Sequence, residues 1–175
     1  MATIKKKAKM PTSRKMAGSG ISPAKTGEAA ARQCLRVLLR RPRLAVLATQ
    51  GDGEPYASLV AVVAAADGTR LWFASRRGTR KFANLLAGCR VALLFDNRRN
   101  RADDFVRAVT AMAAGKVSEL AGAARIKAVA LLMQQHPALR EFLADAQTAL
   151  LEVQVERWRV IRNFEEAVDV ATKNT

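Results

Sequence analysis

The sequence predicts a mainly β protein with helices, an α+β chain whose strands form a small six-stranded antiparallel barrel. Three observations carry that expectation. Short runs alternate apolar with polar or small residues, as strands with one buried face require. Turn signals such as Gly51-Asp52-Gly53 and Asp67-Gly68 join successive runs as hairpins. Helical patterns interrupt the strands only at intervals, and without strict alternation a doubly wound parallel sheet is disfavoured.

Residues 1–22 are expected to form a disordered basic arm and residues 23–175 a single domain. Lysine, serine and glycine dominate the arm, which shows no apolar periodicity. A first helix is expected over 26–40, with Thr26 as its N-cap and Pro42 as its stop; Ala31, Leu35 and Leu38 give it an apolar face. RLAVLATQ (43–50) alternates as a strand, and further strands follow over 56–65 and 70–74. Phe82, Leu85 and Leu86 mark a short helix closed by Gly88. A fourth strand covers 91–95, the polar run DNRRNRADD is a loop, and a fifth strand lies within 106–117. Ile126, Val129, Ala130 and Met133 keep helical spacing, and a second short helix follows Pro137. In LLEVQVERWRVI, Leu151, Val153 and Val155 face one way and Glu152, Gln154 and Glu156 the other, giving a last half-buried strand with a bulge near Arg157.

Composition narrows the function. The 175 residues are 50% hydrophobic and 26% charged, enough apolar material for one core. Cys34 and Cys89 stand far apart with no CxxC, against a disulfide framework or cysteine zinc site, and both are expected to be small buried residues. His136 is the only histidine, so a histidine metal cluster is excluded; it precedes Pro137 at an expected helix end, without catalytic partners. The longest apolar stretch, 59–66, is too short to cross a bilayer, and no signal-peptide core follows the basic start, so a cytoplasmic protein without membrane contact is expected. Thirty Lys+Arg against fifteen Asp+Glu give +15, which attracts anions of some kind. Aromatics are only 5% and do not interleave with the basic runs, so nucleic acid is expected to make electrostatic contact only.

The informative stretch is LWFASRRGTRKFANLL. A strand ends at Ser75, Gly78 permits a tight turn, Thr79 caps the next helix, and Arg80 and Lys81 occupy its first turn. A helix N-terminus carries partial positive charge and disfavours cations. Yet Arg76, Arg77, Arg80 and Lys81 gather there with no acid between Asp67 and Asp96. A bound anion would resolve the conflict, with free N–H groups, the Ser75 and Thr79 hydroxyls and the cations as a phosphate cradle. A solvated basic turn is the alternative, since surface charges cost only a few tenths of a kcal/mol.

LATQGDGEPYASLVAVVAAADGTRLWFASRRGTRKFANLLAGCRVALLF resembles the FMN-binding split-barrel proteins related to pyridoxamine 5′-phosphate oxidase, most closely the branch with heme-utilisation proteins. The GDGEPYASLV strand pair, the run Ser75…Arg80-Lys81…Asn84-Leu85 and CRVALLF occur in the family's order, over residues 30–95 with a continuation to 164. The resemblance implies a homodimer of six-stranded split barrels with FMN at the subunit interface. It implies that Arg80 and Lys81 hold the phosphate and that Ala74 and Ser75, at the strand end, add contacts. Ser58, Leu59, Val60, Ala61 and Val62 would run beside the isoalloxazine ring, and Thr110 would reach the flavin of the opposite subunit. A flavin-dependent oxidoreductase acting on a small molecule follows, with no side-chain catalyst nominated. The oxidase's C-terminal arginine–histidine pair and the heme-ligating histidine of the heme-degrading relatives are both missing after His136. A deazaflavin in place of FMN, a non-catalytic barrel binding heme or another anion, and polyanion binding through the basic arm are the alternatives.

Overall fold

The computed structural model describes residues 23–40, 43–163 and 166–172. The expected arm 1–22 and the helix stop at Pro42 lie outside the described residues. α1 (Pro23–Leu39) starts ahead of the expected cap, so Thr26 falls inside the helix. A proline at a helix start sacrifices no intrahelical hydrogen bond.

Six strands close the barrel as expected: β1 (Arg43–Gly51), β2 (Glu54–Ala64), β3 (Arg70–Arg76), β4 (Arg90–Asp96), β5 (Val109–Glu119) and β6 (Thr148–Arg162). All pairings are antiparallel, in the order β3-β2-β1-β4-β5-β6, and β6 returns to β3 to complete the ring. A seventh strand, β7 (Glu166–Ala171), extends the sheet beyond the ring. The 15-residue β6 serves both: its first half pairs with β3 and its second half with β7. β7 escapes the sequence reading because EAVDVA is short and carries charges at Glu166 and Asp169.

The bulge in β6 falls at Glu156, one residue from its expected place. Ala114 pairs with Arg157 and Gly115 with Val155, so Glu156 has no partner on β5. The extra residue reverses the strand's parity. Leu151, Val153 and Val155 face the core before it, Trp158 and Val160 after it. Glycine is required opposite, because a Cβ on Gly115 would lie 2.1 Å from the Gln154 carbonyl oxygen.

Inside the ring, Leu47, Leu71, Phe73, Leu93, Phe95, Val153 and Trp158 are almost wholly buried. The Trp158 indole N–H donates to the Gly68 carbonyl at 2.8 Å, so the largest core residue has its polar atom satisfied. α1 and α2 (Arg80–Ala87) add Leu35, Leu38, Phe82 and Leu85 to this cluster. A second core lies outside the ring, where α4 (Gly122–Gln135) and α5 (Arg140–Ala144) cover Val63 and Leu150 with Ala128, Leu132 and Leu143. A further short helix, α3 (Asp104–Arg107), sits in the β4–β5 connection. Of the two cysteines expected to be buried, Cys34 is half-buried against the core while Cys89 is exposed, being placed at the end of α2's exit turn rather than within a strand.

Candidate functional site

β2 and β3 are neighbours in the ring, yet they pair at only three positions: Val62 with Phe73, Val63 with Trp72 and Ala64 with Leu71. Beyond these the strands part. β2 continues back to Glu54 bound only to β1, and β3 continues to Arg76 bound only to β6. From Glu54 to Ala61 one edge of β2 therefore has no strand partner among the described residues. An unpaired edge presents a row of N–H and C=O groups, which is a template for a polar ligand.

The gap is a cleft of about 230 Å³. Leu59, Val60 and Ala61 form one wall, and Ala74, Ser75 and Arg76 the other. Thr79 and Lys81, from the start of α2, close one end, and Leu139 and Phe142 cover it from the α4–α5 insert. His136, at the end of α4, ties that insert to β2 through Nε2, 3.3 Å from the Val62 carbonyl oxygen. The single histidine is thus a structural tether.

The turn that carries the cations is organised as expected. The Phe82 N–H donates to Thr79 Oγ1 at 3.4 Å, making Thr79 the N-cap of α2. Thr79 Oγ1 also donates to the Arg76 carbonyl at 2.8 Å, and the buried Ser75 hydroxyl lies 3.1 Å from it. The four cations do not act together. Arg76 reaches Asp145 at 3.2 Å and lies over the Phe142 ring, 5.8 Å from its centroid. Arg77 turns to Glu119 in a two-pronged ion pair, which raises its pKa, and stacks on Phe82. Arg80 lies over the Tyr56 ring at 5.1 Å. Lys81 lines the cleft without a carboxylate partner among the described residues. Two of the four charges are therefore neutralised by acids that the local sequence does not contain.

Of the residues nominated from sequence, Leu59, Val60, Ala61, Ala74, Ser75 and Lys81 meet in the cleft. Arg80 stands beside it, held over Tyr56. Ser58 and Val62 flank it on β2; Val62 is in the core, and Ser58 Oγ is buried without a hydrogen-bond partner. Thr110, expected at the flavin of the opposite subunit, stands on β5 between Asp96 and Ile161, apart from the cleft of its own chain. Leu139 and Phe142 went unrecognised, and only the apolar residues of PALREFLA hinted at them. Trp158 is core and the half-buried Trp72 donates its N–H to Glu152 at 2.8 Å, so neither forms a wall.

The residues present fit an anionic cofactor. An unpaired strand edge and an unpaired Lys81 at the cleft are polar groups awaiting partners. Among the described residues no group of three or more His, Cys, Asp or Glu is placed to hold a metal ion, and no helix is long and apolar enough to cross a membrane.

A family model described as pyridoxamine 5′-phosphate oxidase matches residues 31–162. No curated protein sequence matches the chain. Among solved structures, a heme binding protein from Mycobacterium smegmatis is similar with a TM-score of 0.72 at 17% identity, over 82% of this chain and 58% of its own. ChuZ from Campylobacter jejuni is similar with a TM-score of 0.70 at 15% identity, over 86% of this chain and 64% of its own. An FAD-binding protein from Mesorhizobium loti gives 0.58 at 17% identity, over 73% and 89%. This chain thus spans less than two thirds of the first two.

Proposed function

The chain belongs to the pyridoxamine 5′-phosphate oxidase family, and from that premise we propose that it binds FMN in the β2–β3 cleft and serves as a flavin-dependent oxidoreductase. The observation that carries the reading is the parting of β2 from β3, with Lys81 unpaired at its end. Lys81 and Arg80 would hold the phosphate, with Thr79 and Ser75 supplying hydroxyls. The unpaired edge of β2 from Ser58 to Ala61 would hydrogen-bond the ring, and Leu139 and Phe142 would exclude water from it. Bound flavin supplies the hydride and electron chemistry, and the protein supplies orientation and charge.

The active form is a homodimer. In one chain the cleft holds about 230 Å³, below the roughly 300–1,000 Å³ typical of pockets that enclose a ligand. Across the outer face of the sheet Leu59, Val46, Leu94 and Met112 stand opposite one another on four successive strands, beside a row formed by Ala57, Ala48, Ala92 and Ala114. Leu59 is 63% and Leu44 64% exposed, so the patch is uncovered in a single chain. It runs into the cleft through Leu59 and Ala61, and a second copy seated on it would supply the missing wall.

A visible spectrum of the purified protein, with the mass of the released ligand, tests the assignment. The expected result is an oxidised-flavin spectrum and the mass of FMN, whereas a Soret band or the mass of a deazaflavin would replace the cofactor. Replacing Arg80→Ala together with Lys81→Ala should weaken FMN at least about a hundredfold, two charge-assisted contacts being lost, with circular dichroism unchanged. Equal FMN affinity in that variant would remove the site assignment.

A further inference from the structure

A cavity of about 540 Å³, larger than the cleft, shares no lining residue with it. It lies between α1 and the β4–β5 connection. Its floor is apolar: Leu38 belongs to the barrel core, and Cys34 and Val109 pack against that core. Val37 adds to the apolar lining, and Asp104 and Arg107 bring the two ends of α3 to the cavity. A pocket of this size with an apolar floor and polar groups around it has the form of a ligand site.

Two guanidinium groups stand in the same lining, those of Arg99 and Arg107. Neither makes a side-chain hydrogen bond or ion pair among the described residues, although two acids line the cavity beside them. Those acids are engaged otherwise. The Asp104 carboxylate accepts the backbone N–H groups of Arg99 and Arg101 at 2.9 and 3.0 Å, and Asp103 lies 3.8 Å from Arg101. The cavity thus offers an apolar floor and two cations without a hydrogen-bonded acid, of which Arg99 stands close enough to Asp104 to lower its pKa. We propose that it is a second ligand site, for a small amphipathic anion: a carboxylate or phosphate head, paired by Arg99 and Arg107, on an apolar tail that lies along α1. A concave pocket accepts a discrete molecule rather than the face of a bilayer, so the ligand is a free one.

The two cysteines make the site testable in the unaltered protein. Cys34 lines the cavity, whereas Cys89 is exposed at another part of the molecule and serves as an internal control. Labelling by N-ethylmaleimide, followed at each thiol by mass spectrometry, is compared with decanoate below its micelle concentration, with decanol and with acetate. Decanoate at roughly ten times its Kd should slow Cys34 about tenfold and leave Cys89 unchanged. Decanol and acetate, each lacking one half of the chemistry, should protect far less. Calorimetric titration with the same three probes gives a readout that needs no thiol. Arg99→Ala with Arg107→Ala, both at the surface, should weaken decanoate by on the order of tenfold or more with flavin content unaffected. Protection by decanol equal to that by decanoate, unchanged affinity in the double variant, or capture by anionic vesicles without any binding of free decanoate would each overturn the proposal. Because flavin content is measured separately, failure here is distinct from failure of the cofactor assignment.

Discussion

Gly51 shows how one missing side chain positions a functional helix. A Cβ there would lie 2.1 Å from Asn84 Oδ1. The Asn84 amide is buried and donates to Thr49 Oγ1 at 3.1 Å, which ties α2 to the β1–β2 hairpin. Arg80 on the same helix rests on Tyr56 of that hairpin. Gly51→Ala should therefore displace Asn84 and cost about 1–3 kcal/mol, the penalty of a broken buried hydrogen bond. In an Asn84→Ala background the same change should cost little, and urea unfolding of the four proteins in this cycle checks it. The sequence displays Thr79 as a cap and Arg80 and Lys81 in the first turn because these relations are local. It cannot display that Arg76 and Arg77 are already neutralised, since Asp145 and Glu119 arrive from other strands and helices.

At the scale of elements, the β4–β5 connection is organised by one carboxylate. Asp104 accepts backbone N–H groups of the loop, first among them that of Arg101, and this holds its pKa below the ordinary 3.8. A depressed folded-state pKa gives stability that is complete above the ordinary value and is lost as pH falls through the lower, folded one. The loop amides of Arg99 and Arg101 should keep their hydrogen-bonded NMR shifts down to pH 3.8 and lose them only below it, while Asp104→Asn should perturb them at every pH. The strands themselves were readable, because a period of two is written into each run. The shift of β6 parity was readable as a bulge near Arg157, although its location at Glu156 depends on pairing with Gly115. β7 was not, since six residues with charges among them acquire strand character only beside β6.

For the whole molecule the decisive surface is the apolar outer face of the sheet. Leu94 lies near its centre, between Val46 and Met112, and is 36% exposed. Leu94→Arg places a charge where a second copy would have to bury it, at a cost of several kcal/mol unless paired. The variant should elute as a monomer in gel filtration, melt nearly as the parent does, and bind FMN more weakly. A parent protein that already elutes as a monomer would refute the dimer.

The sequence by itself determined the six strands of an antiparallel barrel, the capped turn after β3 and the family resemblance, because alternation, turn residues and capping act between neighbours along the chain. Only the tertiary structure decided that β2 and β3 part to open a cleft and that Leu139 and Phe142 cover it. Those outcomes depend on which distant segments meet. Arg77 and its acid are 42 residues apart, and pairing at such separation is set by how the sheet closes rather than by any local preference.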